Sequence, residues 1–379
     1  MVTDCYLPRL GGIESQVRDL SRHLRAAGHE VEVFTATAAA NGHRGGCPET
    51  GDDGIRVHRH ALPRPLNLPV NPFAPPEVRR RLAAGDFDVV HAHLGVVSPF
   101  STDIVPVALG LGMPVMATFH CVVDRSAPVF RALGHLERWA SQGVALSAVS
   151  AMAAGRISAV AGGVPVEVVP NGVEASWWRS EPIRRQGVAP VAHESRHRVH
   201  VVSAMRFASR KRPLATLAVL RSARALLDPA IPLRATLVGE GPQRRLMEHY
   251  LRARGMDWVT LPGRVSREQL RDLHHCADVY LTTARLEAFG IAALEARAAG
   301  LPVVAVRGTG ADDFLTDGVD GLLADSDAML AGSLAHLARD EGLRASMRSH
   351  LRATAPAQDW PGVVRDTVAE YQRAGARRA

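Results

Sequence analysis

Two glutamates in the second half of the chain have a spacing that suits an elongated, hydroxyl-bearing ligand. Glu287 and Glu295 lie eight residues apart in the segment 287–296, which reads Glu-Ala-Phe-Gly-Ile-Ala-Ala-Leu-Glu-Ala. The pattern predicts a loop at Glu287 and a helix that contains Glu295. A hydrolase pair would need two carboxylates ~5–9.5 Å apart across one bond, which this arrangement fits poorly. Each carboxylate is therefore expected to reach a different part of the ligand; the alternative for Glu295 is an ordinary exposed helix position.

Phosphate-binding features accompany these carboxylates. The backbone N–H groups of Phe289, Gly290 and Ile291 stand at the predicted helix start, where free N–H groups and the helix dipole favour an anion. Arg206 and Lys211, five residues apart after a predicted strand, offer a planar guanidinium and a compact ammonium, which together suit a diphosphate. Lys211 is the one lysine among 45 lysine and arginine residues, which favours a specific role for it. The alternative is a solvated basic turn.

Glycine-containing turns follow several other predicted strands. Gly11 and Gly12 open the first helix, where a glycine lets the backbone approach a phosphate closely; the alternative is a tight strand-to-helix turn. No G-x-G-x-x-G dinucleotide pattern follows any predicted strand. The turn 239–242 and the turn that holds Arg264 and Val265 have backbone groups that could contact a nucleotide base.

Histidines end two predicted strands of the first half, at His91-Ala-His93 and at Phe119-His120. A histidine at the carboxyl edge of a strand can hydrogen-bond a sugar or assist proton transfer near neutral pH. The spacing of His91 and His93 also occurs in metal sites, but the sequence offers no evident third ligand. We therefore predict no metal site, and a structural hydrogen bond for one histidine of that pair.

The elements that must position these residues alternate between short apolar runs and amphipathic helical stretches, which predicts an α/β protein with parallel sheets covered on both faces. The predicted strands are 31–35, 55–59, 88–91, 115–119, 144–149 and 166–169 in the first half, and 199–204, 234–238, 259–261, 279–282 and 303–306 in the second. Helices lie between them, such as 15–27 with Val17, Leu20 and Leu24 on one face.

This pattern predicts two doubly wound domains. The first spans 1–175 and the second 198–355, joined by a connection at 176–197 that has no periodicity; a last helix at 360–374 lies in the C-terminal segment 356–379. Ligands of open α/β sheets bind beyond the carboxyl ends of the strands. Two such domains facing each other would form a deep cleft, where the candidate residues are expected to lie.

Composition and charge narrow the function classes. The 379 residues are 46% hydrophobic and 22% charged, which is typical of soluble globular proteins, and no apolar run reaches the ~20 residues of a membrane span. The net charge of +7 raises nucleic acid, an anionic membrane or a phosphorylated substrate as partners. The arginines are dispersed without interleaved aromatic residues, which disfavours nucleic acid. Four scattered cysteines and no signal peptide indicate reduced thiols in a cytoplasmic protein; they are Cys5, Cys47, Cys121 and Cys276.

Together these residues resemble the family-four retaining glycosyltransferases, which have the GT-B fold. The resemblance covers nearly the whole chain and rests on the order and spacing of five motifs. These are Pro8-Arg-Leu-Gly-Gly-Ile-Glu14, Asp88-Val-Val-His-Ala-His93, Pro170-Asn-Gly-Val173, Arg206 with Lys211, and the Glu-x7-Glu pair at Glu287 and Glu295. In this family the second domain holds a nucleotide-diphosphate sugar and the first receives the acceptor. The GT-B fold also implies that the C-terminal helix returns to the first domain.

The resemblance implies a role for each candidate residue. Arg206 and Lys211 hold the diphosphate with help from Gly12, and Glu295 accepts hydrogen bonds from the ribose hydroxyls. Glu287 and the N–H groups of residues 289–291 meet the donor sugar and its phosphate. The remaining assignments are the base contacts of Arg264 and Val265, His120 beside the reacting sugar, and Gly11, Glu14, His93 and His120 on the acceptor side. Transfer would proceed with retention and without a divalent metal or other cofactor.

Three departures from the family pattern affect the prediction. Met1 stands where the family usually has several more residues of the first strand, so either that strand is short or the chain begins further upstream. The segment 308–313 replaces the usual glycine pair and later glutamate, so its role stays open. Members that use inositol phosphate carry an asparagine shortly after the first glycine pair, and here Ile13 and Glu14 stand there instead. This favours a phosphatidylinositol-type or polyprenyl-type lipid or a secondary metabolite as acceptor.

The predicted function is thus transfer of a hexose-type sugar from GDP-mannose or a UDP-sugar to a lipid, glycan or small-molecule hydroxyl. A sugar-nucleotide isomerase of the non-hydrolysing epimerase type, which shares the two-domain fold, is the alternative. If the acceptor is a lipid, Arg18, Arg22, Arg25 and the run 79–81 could contact anionic headgroups at the inner face of the membrane. The alternative for these arginines is a solvated basic face.

Overall fold

The computed structural model describes residues 1–9, 11–45, 48–51, 53–62, 69–124, 127–180 and 198–376. The chain divides into two α/β units, the first formed by Met1–Gly172 together with Trp360–Ala379 and the second by Val173–Asp359. The predicted bound at 175 differs slightly, because the chain from Val173 onwards packs with the second unit. Most of the predicted connection, 181–197, and Cys47 lie outside the described residues.

The first unit is built on an eight-stranded sheet with the order β3-β4-β2-β1-β5-β6-β7-β8. Only β3 is antiparallel to its neighbour among the described strands. The strands are β1 (Val2–Thr3), β2 (Glu32–Thr35), β3 (Glu49–Thr50), β4 (Arg56–Arg59), β5 (Val90–Leu94), β6 (Val115–Phe119), β7 (Ala145–Ala148) and β8 (Glu167–Val168). The helices are α1 (Gly12–Ala26), α2 (Pro75–Ala84), α3 (Pro99–Gly110), α4 (Ala127–Leu133), α5 (His135–Ser141) and α6 (Ala151–Val160).

The second unit is built on a six-stranded parallel sheet with the order β11-β10-β9-β12-β13-β14. Its strands are β9 (Val199–Ala204), β10 (Leu233–Val238), β11 (Val259–Gly263), β12 (Val279–Leu281), β13 (Val303–Val306) and β14 (Gly321–Ala324). Its helices are α7 (Ala175–Arg179), α8 (Pro213–Ala225), α9 (Arg244–Ala253), α10 (Arg267–Cys276), α11 (Ile291–Ala298), α12 (Asp327–Arg339) and α13 (Glu341–Ala353). Short 3-10 turns form at Ser209–Lys211 and Gly310–Asp313.

The last helix, α14 (Trp360–Ala376), returns to the first unit, as the sequence predicts. Trp360 is 2% exposed and packs with Leu20, Leu24 and Val363. Its indole stacks on His23 with 4.7 Å between ring centroids. Burial of this aromatic and aliphatic surface fixes α14 against α1. None of the described helices is long and apolar enough to cross a membrane.

Each sheet has one place where the strand order reverses. In the first unit β1 lies between β2 and β5, and in the second β9 lies between β10 and β12. The loops that leave the carboxyl ends of β1 and β5, or of β9 and β12, therefore run to opposite faces and leave a crevice between them. Most predicted site residues lie in or beside these loops.

Three strands were not predicted from the apolar pattern, although the resemblance implied the first of them, and each has a physical reason. β1 and β3 have two residues each, too few for a periodic pattern. β14 reads Gly-Leu-Leu-Ala and lacks the β-branched and aromatic residues that favour strands. The predicted strand 88–91 ends too early: β5 extends to Leu94, so His93 lies inside it together with His91.

Candidate active site

An ion pair joins the two loops that flank the crevice of the second unit. The ammonium of Lys211, at the end of the 3-10 turn after β9, donates to Glu287 Oε2 in the loop after β12. The two side chains are 25% and 19% exposed, so the pair is accessible to a ligand. Arg206, in the same loop as Lys211, is exposed and has no ion-pair partner among the described residues. Within the described part of the chain, the loop after β9 thus carries one cation in an ion pair and one outside any ion pair.

The backbone beyond Lys211 is held in an uncommon conformation. Arg212 has φ = 55°, the one positive φ of a non-glycine residue in the described chain. Its guanidinium binds Asp327 through two hydrogen bonds of 3.0 and 2.7 Å and donates to the carbonyl oxygen of Thr283 at 2.9 Å. The Arg212 guanidinium is the first cause that lowers the pKa of Asp327. These contacts offset the cost of a left-handed residue and tie the two loops together behind the Lys211–Glu287 pair.

The start of α11 has the geometry that the sequence predicts. Gly290 caps the helix with φ = 99°, a conformation that glycine adopts without a Cβ clash, so the first N–H groups of the helix follow directly on the Glu287 loop. Phe289 contributes only its backbone, because its ring is 2% exposed and packs on Phe314 at 5.5 Å. Glu295 lies half-buried one turn into α11.

The segment 308–313, whose role the sequence left open, supports the Glu287 loop from beneath. Gly310 donates its N–H to the carbonyl oxygen of Glu287 at 3.0 Å. A Cβ on Gly310 would overlap the carbonyl group of Ala288, so only glycine allows this approach. Thr309 caps the following 3-10 turn through its hydroxyl. The segment therefore has a structural function at the site.

The turn 239–242 has a structural role, and its contact with a base stays a prediction. A Cβ on Gly239 would overlap the carbonyl oxygen of Met205, and one on Gly241 would overlap the backbone of Phe207. The N–H of Phe207 donates to the carbonyl oxygen of Glu240 at 2.9 Å. These glycines allow the cation-bearing loop to pack on its neighbour, which accounts for them without a nucleotide. Arg264 is exposed and Val265 half-buried just after β11, where their base contact stays a prediction.

The first unit brings buried neutral groups together instead of charges. His93 Nδ1 lies 3.0 Å from His120 Nε2, and the rings of His91 and His93 are 4.0 Å apart. His91 also contacts Tyr371 at 2.9 Å and Thr118 at 2.7 Å. Burial lowers the pKa of His91 and of His93 well below the ordinary value. It lowers the pKa of His120 to about 4, so this cluster is neutral at neutral pH.

Asn171 and Gln16 are site residues that the sequence reasoning did not assign. Asn171 is 6% exposed and hydrogen-bonds the His120 side chain. Gln16 donates to the carbonyl oxygen of Gly172 at 3.0 Å and accepts from its N–H at 2.9 Å, which holds the Asn171 segment against α1. A cavity of about 20 Å³ lies among these side chains, room for roughly one water molecule. The Pro170-Asn-Gly-Val173 motif was the signal that could have identified them.

The glycine pair at the start of α1 is less suited to phosphate than predicted. Gly12 is the first residue of the helix and not part of a loop, and Gly11 is extended with φ = −171°. The carboxylate of Glu14, 9% exposed, lies against Gly11. A negative charge already occupies this helix start, so a second anion would be repelled.

The described residues contain no group of three or more His, Cys, Asp or Glu side chains that could hold a metal ion. His91 and His93 meet Thr118, Tyr371 and His120 through hydrogen bonds, as the structural interpretation of that pair predicts. Cys5, Cys121 and Cys276 are free thiols.

Comparison with known proteins identifies the class to which this fold and these sites belong. The profile described as Glycosyltransferase Family 4 matches residues 10–177, and the profile described as Glycosyl transferases group 1 matches residues 195–354. The structure resembles that of Anabaena HepE in complex with UDP, with a TM-score of 0.72 and 18% identity over 95% of this chain and 96% of that one. It also resembles WaaG, a glycosyltransferase involved in lipopolysaccharide biosynthesis, with a TM-score of 0.69 and 18% identity over 96% of both chains. The fold is therefore GT-B, as predicted.

Sequence relatives agree with this class. A D-inositol 3-phosphate glycosyltransferase of Pseudarthrobacter chlorophenolicus is 27% identical over 96% of this chain and 90% of its own length. A phosphatidyl-myo-inositol mannosyltransferase of Mycolicibacterium smegmatis is 29% identical over 96% and 90%. A GDP-mannose-dependent phosphatidylinositol monomannoside mannosyltransferase of Mycobacterium tuberculosis is 26% identical over 94% and 93%. The chain belongs to family 4 of the glycosyltransferases and is a transferase of that class.

Proposed function

We propose that this glycosyltransferase moves a hexose-type sugar from GDP-mannose or a UDP-sugar to a hydroxyl acceptor, with retention of configuration and without a divalent metal. The observation that carries the proposal is the Lys211–Glu287 ion pair across the crevice of the second sheet, beside the start of α11 and the exposed Arg206, to which the described residues give no ion-pair partner. Two cations and a helix N-terminus at the carboxyl ends of two adjacent strands would suit a diphosphate.

The cations would stabilise the leaving group. As the bond to the transferred sugar breaks, negative charge grows on the diphosphate, and groups that already point at it lower the barrier without reorganisation. Arg206 would bind phosphate oxygens through its guanidinium fork, and Lys211 would add a point charge. Because Lys211 also holds Glu287, the same cation would orient the carboxylate proposed to meet the donor sugar.

The rest of the donor would extend along the second unit. Glu295, one turn into α11, is proposed to accept hydrogen bonds from the ribose hydroxyls. The exposed backbone at Arg264 and Val265 is proposed to contact the base. The panel of donor sugars described below tests whether the transferred sugar is mannose or another hexose.

His120 is proposed to hydrogen-bond the transferred sugar. With a pKa lowered to about 4 by burial, it is neutral at neutral pH and acts as a hydrogen-bonding group, not as a general acid. His93 and Asn171 hold its ring from two sides. We place His93, Glu14 and Gly11 on the acceptor side of the site.

The acceptor is proposed to be a lipid or glycan hydroxyl. The inositol lipids and inositol phosphate named for the relatives are the first candidates, and the carboxylate of Glu14 at the start of α1 disfavours the free phosphate among them. The isomerase alternative is not supported, because the matching relatives are glycosyltransferases.

We further propose that the protein is cytoplasmic and contacts an anionic membrane peripherally. Fewer arginines are available for this contact than the sequence suggests. Arg80 and Arg81 both pair with Glu77, and Arg18 pairs with Asp19. Arg22 and Arg79 are exposed, and the described residues give them no acidic partner. Sedimentation with phosphatidylglycerol vesicles at low salt tests the contact. If the wild-type protein stays in the supernatant, the proposed membrane contact is wrong.

A panel of UDP- and GDP-sugars tests the function. The true donor raises the melting temperature, since it binds the native state, and it should do so equally in EDTA. With that donor and lipid acceptors, NMR of the product anomer reports retention or inversion. Donor consumption without acceptor to give an epimer would instead restore the isomerase, and loss of activity in EDTA would refute metal independence.

A further inference from the structure

A tyrosine hydroxyl closes a gap in the second sheet next to the candidate donor site. β9 extends to Ala204, but its pairing with β12 ends at the Tyr280–Val202 pair. Ala204 therefore lies two residues beyond the last paired position. The Tyr280 hydroxyl fills the gap, because it donates to the carbonyl oxygen of Ala204 at 3.1 Å and accepts from its N–H at 3.2 Å. One side chain thus satisfies both backbone groups that a longer β12 would have paired.

The position of this bridge matters because the cation-bearing loop starts there. The chain leaves β9 at Ala204 and reaches Arg206 two residues later. On the β10 side the loop is tied by the N–H of Met205, which donates to the carbonyl oxygen of Val238 at 3.0 Å. On the β12 side the tie at Ala204 is the Tyr280 hydroxyl. The loop is therefore held from both neighbouring strands at the point where β12 turns away.

The surroundings keep the Tyr280 hydroxyl able to donate. Tyr280 is 2% exposed, and its ring meets His274 edge-on at 5.7 Å. Burial raises the pKa of Tyr280, and the nearby charges of Glu295 and Glu287 raise it further. The ring would pack equally well as phenylalanine. Only the hydroxyl therefore distinguishes tyrosine from phenylalanine at this position.

We propose that Tyr280 is a positioning residue for the donor diphosphate: its hydroxyl fixes the start of the loop 205–212, so that Arg206 and Lys211 stand at the distance that two linked phosphates require. The inference rests on the proposed function. It assigns no contact between Tyr280 and the ligand; the residue acts through the backbone of Ala204.

The test compares a nucleoside diphosphate with the monophosphate in wild type and Tyr280→Phe. By calorimetry, Tyr280→Phe should raise the Kd for UDP or GDP, whichever wild type binds, about fivefold or more, because two charge-assisted contacts lose their geometry. The Kd for the matching monophosphate should change less than twofold or so, since one phosphate does not need both cations in register. Hydrogen exchange at amides 205–211 should become faster without any ligand. Tyr250→Phe on α9 of the same unit is the matched control and should change none of these.

The outcomes separate the inference from the function on which it rests. If wild type binds neither UDP nor GDP, the proposed donor site fails, and the inference fails with it. If wild type binds and Tyr280→Phe keeps the same diphosphate-to-monophosphate ratio, the inference alone is overturned. An equal loss for both nucleotides would mean a general structural role and would also overturn it. A Tyr280→Phe chain that does not fold would count against the proposal in the same way, because the hydroxyl would then support the whole unit.

Discussion

In both sheets the crevice lies beside the first strand of the unit, where the strand order reverses. The side chains at the two crevices differ in charge. In the first unit, β5 and the residue after β6 carry neutral histidines held by Thr118, Asn171 and Tyr371. In the second unit, the loops after β9 and β12 carry the half-exposed Lys211 and Glu287 and the exposed Arg206. Neutral hydrogen-bonding groups suit hydroxyls, whereas paired cations suit a diphosphate. The difference supports the proposal that the donor phosphates bind the second unit and an acceptor hydroxyl the first.

The largest expected effect on activity comes from substitutions of Lys211 in the second unit. Lys211→Ala should raise the activation free energy by about 2–4 kcal/mol, as for the loss of one preorganised group facing a developing charge. This corresponds to a fall in kcat/KM on the order of 30- to 1000-fold. Lys211→Arg should still lower kcat/KM about tenfold or more, because a planar guanidinium beside Arg206 would displace a phosphate oxygen or lose Glu287. Steady-state kinetics with the identified donor measures both.

The neighbouring substitution Arg210→Lys is the control for Lys211, because Arg210 is exposed in the same turn. It should leave kcat/KM and the melting temperature unchanged. Wild-type turnover by Lys211→Arg would show that position 211 needs only a positive charge. The single lysine of the chain would then have no role that arginine cannot fill.

Glu295 should give the next effect. Glu295→Ala should weaken donor binding by about 1–3 kcal/mol, the scale of a lost hydrogen bond to a charged group, as measured by calorimetry. Glu248→Ala is the matched control: Glu248 pairs with Arg244 on the surface of α9 in the same unit, and exposed pairs contribute little. Unchanged affinity in Glu295→Ala would contradict the ribose assignment.

The neutral histidines of the first unit predict a dependence on pH. Burial lowers the pKa of His93, so the native state binds fewer protons than the unfolded state. The contribution of His93 to the unfolding free energy is complete above the unfolded pKa of about 6.5 and is lost as the pH falls below that value. His93→Gln should therefore flatten the slope of the unfolding free energy below pH 6.5 by up to about 1.4 kcal/mol per pH unit. Denaturant unfolding across this range measures it.

The exposed His29 of the same unit supplies the comparison, and His29→Gln should leave the slope as it is. Equal slopes in wild type and His93→Gln would mean that folding does not lower the pKa of His93. The contrast between the two units would then be wrong at this residue.

The smallest effect is expected at Asp327, which supports the second crevice without facing it. Asp327→Asn keeps the shape but removes the charge that binds Arg212. Because Asp327 is 40% exposed, the unfolding free energy should fall by only about 0.5–1 kcal/mol. Thermal unfolding tests this. A fall of several kcal/mol would mean that the left-handed backbone at Arg212 depends on the pair far more than its exposure suggests.

The sequence by itself determined the architecture and the family. Fully buried parallel strands such as β6, β9 and β13 are near-continuous apolar runs, and the structure has them at the predicted bounds. The loop-to-helix start at Gly290 was predictable because glycine and helix periodicity are local signals. Lys211 and Glu287 were both predicted in loops after strands, where ligands of parallel sheets bind, but the ion pair between them was not predicted.

The tertiary structure alone decided which of these residues touch. His93 and His120 are 27 residues apart, Arg212 and Asp327 are 115 apart, and Tyr280 reaches Ala204 across 76 residues. A periodic pattern states which face a residue occupies, but not how far a neighbouring strand extends. The short β12 is the clearest case: its pairing with β9 stops at Val202, two residues before Ala204, and leaves two backbone groups of Ala204 to satisfy. The Tyr280 hydroxyl can pair with both backbone groups of Ala204 only because its burial and the strand register bring it beside them.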